Sequence, residues 1–160
     1  MKKIVFMLCF LYATSAYSQS PFNHSLGLSF YGYDGVPGIM YSPRLTLSKL
    51  NDNTNLSIGT HIGINYSIYS GGMNLLDVPI VMEMNFGHGS DSNNKKKKGG
   101  FIGLGYGYVE NDDGNQQGLL MNVGFRRKVF DSSIGMRLSL LTDIAFSDGY
   151  FSLGAFYTFF

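Results

Sequence analysis

The sequence predicts an all-β fold: an eight-stranded antiparallel up-and-down transmembrane β-barrel. Three observations predict it. Eight stretches alternate apolar with small or polar residues at period two. Their polar face is rich in glycine and carries a few charges of both signs, and aromatic residues gather towards the ends of the apolar face.

The chain divides into two parts. In residues 1–18, Lys2 and Lys3 precede an apolar run, Ile4 to Ala13, and then "TSAYSQ", with a small-x-small site at Ala16-Tyr17-Ser18. That is the layout of a cleaved signal peptide. The run has ten residues, whereas a membrane-spanning helix needs about 20. Cys9 is the only cysteine and lies inside this segment, so the mature domain, residues 19–160, has no thiol, disulfide or cysteine metal site. Met7 and Leu8 before it are not the small residues of a lipidation site.

With 21 Gly, 13 Phe and 11 Tyr in 160 residues, the composition suits one domain of strands and turns. Twelve Lys and Arg against 11 Asp and Glu leave no general nucleic-acid footprint.

The apolar faces follow in order. The first strand shows Leu26, Leu28 and Phe30; the second Ile39, Tyr41, Pro43, Leu45 and Leu47; the third Leu56 to Ile68 at every second residue, interrupted by Thr60. The fourth shows Val78, Ile80, Met82, Met84 and Phe86, and the fifth Ile102, Leu104, Tyr106 and Tyr108. Then come Leu119, Met121, Val123 and Phe125; Ile134, Met136, Leu138 and Leu140; and Phe151, Leu153, Ala155, Tyr157 and Phe159. Turn-rich segments such as "YDGVPG", "KLNDNTN", "ENDDGNQQG" and "FSDG" separate them, so successive strands are expected to pair as antiparallel neighbours.

Alternation alone leaves open which face points inward. An oily interior would make a secreted lipocalin-like binder, and an oily exterior an outer-membrane barrel. The glycines of the polar face, among them Gly27, Gly63, Gly103, Gly105, Gly124, Gly135 and Gly154, suit the crowded concave side of a small barrel. Arg44, His61, Asp77, Glu83, Arg126 and Arg137 share that face and are too few for a solvated exterior. Outward aromatics form two expected girdles: Phe86, Phe101, Phe125, Tyr157 and Phe159 at one rim, and Phe30, Tyr41, Tyr66, Tyr106, Tyr108 and Phe151 towards the other. The polar face is therefore expected inside.

The last strand, Ser152-x-Gly154-x-x-Tyr157-x-Phe159, resembles the C-terminal signal by which barrel-assembly machinery recognises outer-membrane proteins, displaced by one residue because Phe160 follows. The mature chain resembles the small eight-stranded OmpA/OmpX-like barrels. "DVPIVMEMNFGHGS" followed by "GGFIGLGYGY" is similar to the outer-membrane β-barrel domain proteins of Bacteroidetes. The resemblance implies fold and outer-membrane location, with no activity assigned.

Glu83 is expected to pair across the interior with one or more of Arg126, Arg137 and Arg44, as a stabilising plug or a gate, with Arg44 and His61 as cross-strand neighbours elsewhere. His88-Gly89-Ser90 has the His-x-Ser spacing of lipid A deacylase barrels, but without that family's following Asn and in a turn on the expected periplasmic side. Lys95 to Lys98 reads as a solvated turn, with anionic headgroups or a periplasmic polymer as the functional alternative. The opposite loops, near Val36, Gly72, Asp113 and Asp148, are expected to be about four to nine residues long. No phosphate loop, metal cluster or cofactor motif is visible.

The expectation is a non-enzymatic, monomeric outer-membrane barrel with a plugged polar lumen, serving envelope integrity or surface interaction. Its expected partners are outer-membrane lipids, the assembly machinery and an unidentified surface or periplasmic partner. A lipid-modifying enzyme and a secreted binder are the alternatives.

Overall fold

Ten strand segments build the molecule: β1 (Phe22–Tyr31), β2 (Val36–Asn51), β3 (Thr54–Gly59), β4 (Ile62–Tyr66), β5 (Asn74–Asp77), β6 (Ile80–Gly87), β7 (Lys98–Asn111), β8 (Gly114–Val129), β9 (Ser132–Asp143) and β10 (Gly149–Phe159). The computed structural model describes residues 22–32, 36–66, 74–87, 96–111, 114–130, 132–143 and 149–159. The expected signal segment, His88-Gly89-Ser90, Lys95 and Phe160 lie outside them.

The ten segments make eight staves, because β3 with β4 and β5 with β6 each run as one strand. Prolines cause both interruptions. Arg44 pairs with Gly59 and Tyr41 with Ile62 in one unbroken register, which sets Pro43 opposite Thr60. Pro43 has no N–H to donate, and only the reverse bond forms, from Thr60 N–H to the Pro43 carbonyl at 3.1 Å. On the other side the shared register of β3–β6 and β4–β5 sets Pro79 opposite His61. The ladder thins at Thr60 and His61 from both flanks, while the register continues through.

All pairings are antiparallel between chain neighbours, and the ring closes where β1 meets β10, from His24 opposite Phe159 to Tyr31 opposite Ser152. Closure removes the free edges that would otherwise present unpaired backbone groups. The fold is an eight-stranded antiparallel up-and-down barrel.

Exposure then separates the two faces. Leu28, Ile39 and Leu104 are 56%, 64% and 58% exposed, and the other aliphatic residues of that face are similarly open. Serines, asparagines and the charged set are buried on the opposite face. At one rim the outward rings cluster: Tyr157 and Phe159 lie 5.0 Å apart, and His24 lies 5.6 Å from Phe159 and 6.4 Å from Tyr41.

Four expectations need correction. Tyr41 stands at the rim of Tyr157 and Phe159 rather than the opposite one, because Leu26 pairs with Tyr41 on one side and Tyr157 on the other. Phe101 is not part of a girdle: it is 2% exposed and points inward, sharing the parity of Gly103 and Gly105 rather than that of Ile102. The connection near Asp113 is shorter than expected, because β7 continues to Asn111 and β8 begins at Gly114, leaving residues 112–113 between them. Val36 belongs to β2 and is buried, not part of a loop.

The lumen also holds more apolar volume than its small and polar residues suggest. Tyr31, Val36, Leu75, Val81, Val109, Leu120 and Leu141 form one buried cluster with Tyr150 against it, and Met40, Phe101 and Phe156 form a second.

Candidate functional site

Glu83 is the centre of the lumen. It stands on β6 between Val81 and Asn85, all facing inward because side chains two apart share a face. It is 3% exposed. Its Oε1 accepts from Asn122 Nδ2 at 2.9 Å and from Arg137 Nη2 at 3.4 Å. Its Oε2 lies 3.8 Å from Arg44 Nη1 and 3.7 Å from Arg126 Nη2. One carboxylate thus meets guanidinium groups from β2, β8 and β9.

Asn85 holds the arginines that Glu83 meets at longer range. Its Oδ1 accepts from both Arg44 Nη1 and Arg126 Nη1 at 2.6 Å, and its Nδ2 donates to Ser57 Oγ at 2.8 Å. Arg137 Nη1 donates to Ser42 Oγ at 3.2 Å. The structure therefore brings Arg44, Glu83, Arg126 and Arg137 into one cluster. Arg44 lies within it rather than beside His61, whose register partner on β2 is Ser42.

Two aromatic rings complete this layer. Arg126 lies 4.3 Å from the Phe101 centroid and 5.6 Å from that of Phe156, and Arg137 lies 5.5 and 5.7 Å from the same rings. Cation–π attraction is strongest where water is excluded, so the rings hold the guanidinium planes as well as filling space. Glycine makes the room. Phe101 pairs across the sheet with Gly124, and Phe156 with Gly135. A Cβ at Gly124 would run into the Phe101 ring, and one at Gly135 would come 2.5 Å from Phe156 Cζ.

His61 and Asp77 face each other, with Nε2 and Oδ2 3.6 Å apart. Towards the end of the lumen where β7 turns into β8, the larger apolar cluster packs inside the barrel. The lumen therefore has a charged layer and an apolar cap stacked along its axis.

Sequence reasoning missed Asn85, Asn122, Phe101 and Phe156. The signal was present for the two rings: a bulky residue on a glycine-rich face, paired across the sheet with a glycine. For the asparagines it was parity with Glu83 on β6 and the register of β7 with β8, which sequence alone does not fix.

Of the remaining expected residues, Ser152 and Gly154 are buried in β10, while Tyr157 and Phe159 face outward. Lys96, Lys97 and Lys98 are exposed at the rim where β6 leads into β7. Lys98 pairs with Arg127, and Lys128 N–H donates to the Lys97 carbonyl at 2.9 Å, so basic residues of two strand ends meet there. Among the described residues, no group of three His, Cys, Asp or Glu side chains is placed to hold a metal ion.

No protein-family model matches this chain, and no curated protein matches it. Solved structures do. The outer-membrane enzyme PagL is 18% identical with a TM-score of 0.52, over 85% of this chain and 97% of that one. Ail, the attachment invasion locus protein of Yersinia pestis, is 14% identical with a TM-score of 0.54, over 86% of this chain and 97% of that one. Neisserial surface protein A is 13% identical with a TM-score of 0.53, over 87% and 96%. At these identities the likeness is one of fold: the chain has the architecture of the small outer-membrane β-barrel proteins.

Proposed function

We propose that this chain is a non-enzymatic, monomeric outer-membrane barrel, exported through residues 1–18, whose sealed lumen makes it a membrane-embedded platform for envelope integrity or surface interaction rather than a pore. The observation that carries this reading is the double obstruction of the lumen. The Glu83 cluster with Phe101 and Phe156 fills one layer, and the apolar cluster around Leu120, Leu141 and Tyr31 fills the other. An eight-stranded barrel has room for filling side chains and little else.

The outer aliphatic face would contact outer-membrane lipid. The β10 pattern Ser152, Gly154, Tyr157 and Phe159 would be read by barrel-assembly machinery, with the two aromatics facing outward. Reconstitution in planar bilayers, with mass spectrometry of lipid A from cells with and without the protein, tests the reading. It predicts no sustained conducting level and identical lipid A. A stable open channel would contradict the sealed lumen, and altered acylation would put the barrel among the lipid-modifying enzymes.

A further inference from the structure

Among the buried described residues of the lumen, guanidinium groups outnumber carboxylates. Among the described residues, the guanidinium groups of Arg44, Arg126 and Arg137 are buried, and the buried carboxylates are Glu83 and Asp77. Arginine does not deprotonate in proteins, so three guanidinium charges face two carboxyl groups. Asp77 Oδ2 lies 3.6 Å from His61 Nε2.

Several buried polar atoms around the cluster have no hydrogen-bond partner among the described residues, including the side-chain oxygens Asn122 Oδ1 and Asp77 Oδ1. Glu83 Oε1 and Asn85 Oδ1 are each shared between two donors of the cluster, while Glu83 Oε2 lies 3.8 and 3.7 Å from Arg44 and Arg126, at ion-pair rather than hydrogen-bond distance. The Nε atoms of Arg126 and Arg137 are buried without an acceptor among the described residues. Ser42 Oγ accepts from Arg137 and keeps its own hydrogen to donate. A cavity of about 10 Å³, room for one small occupant, lies among Ser25, Ser42, Arg44, Glu83, Arg126 and Arg137.

We infer that this cavity is a binding site for a single monoatomic anion of the halide class, held by the guanidinium groups of Arg126 and Arg137 with the Ser42 hydroxyl. Water would satisfy the donors but leave the excess charge buried, and an unmatched buried charge is the costlier defect. A halide accepts from all of them and neutralises the charge. The site serves stability rather than turnover, and it stands whether or not the barrel has a surface partner.

The test is the unfolding midpoint of the refolded mature barrel in neutral detergent at constant ionic strength, as gluconate is replaced by chloride or bromide. Halide is expected to raise the midpoint by a few degrees with a saturable dependence. Arg126→Gln should abolish that dependence, and Arg126→Lys, which keeps the charge, should retain part of it. A variant neutralised at Lys97 and Lys98 should keep it in full, separating the lumen from the basic rim. Crystals of the unaltered protein grown in bromide give a readout that needs no variant: an anomalous peak beside the Arg126 and Arg137 guanidinium groups. A midpoint indifferent to halide, or an ordered water there without anomalous signal, overturns the inference.

Discussion

Removing the Glu83 carboxylate would strand three guanidinium groups in a closed interior. Breaking a buried ion pair by deleting one partner costs about 3–5 kcal/mol, most of it from the charges left behind. Glu83→Ala is therefore expected to lower the stability of the refolded barrel by roughly that amount, read from its urea unfolding midpoint. An unchanged midpoint would mean that the arginines are held by Asn85, Phe101 and Phe156 alone. At this scale the sequence was legible where parity was followed strictly: Glu83, Arg126 and Arg137 fall on the glycine face and point inward. At Phe101 aromatic character and position point in opposite directions, and position decides. An aromatic at a strand end reads as a girdle residue, yet its odd number places it with Gly103 over Gly124. That Arg44 meets Glu83 together with both Arg126 and Arg137 depends on the distance across the lumen, which barrel closure sets and local pairing does not encode.

The staves show which part of a strand a sequence makes visible. Alternation is written only where one face meets an apolar medium. Beyond that band both faces are wet, and a strand can continue through polar residues with no period. β7 and β8 do so, running through Glu110 and Asn111 and through Gly114 to Gln117 in paired register, where the polar sequence predicts a turn. Pro43 and Pro79 illustrate the converse, since each removes ladder bonds without moving the register on either side. The apolar band itself is open to a direct test. Leu104, between Met82 and Met121 on neighbouring staves, lies near the middle of β7. An arginine on the lipid face costs about 2–4 kcal/mol at the bilayer midplane and little near the interfaces. Leu104→Arg is thus expected to destabilise the barrel in lipid vesicles by that amount, measured by reversible urea unfolding, while an arginine at exposed Asp52 in the β2–β3 turn should cost far less. Equal effects at the two sites would mean that Leu104 does not face lipid.

For the whole molecule, two kinds of information combine. The even strand count, the short connections and the face that carries the charges follow from period two and residue size, so the closed antiparallel ring was legible. The layering of the lumen was not. That Tyr31, Val36, Leu75, Val109, Leu120 and Leu141 converge into a cap depends on how far each stave is offset from its neighbours around the ring. The same offsets bring Arg44, Arg126 and Arg137 to one height around Glu83. What stabilises the barrel, then, is a filled interior and a seam closed between β1 and β10, with lipid completing the outer face. The measurement that tests this most directly is electrophoresis of an outer-membrane fraction, with the same sample loaded unboiled and boiled. A detergent-extractable band whose mobility shifts on boiling is the predicted result. A soluble periplasmic protein with a single mobility would contradict it, because the exposed aliphatic face would then have no lipid to meet.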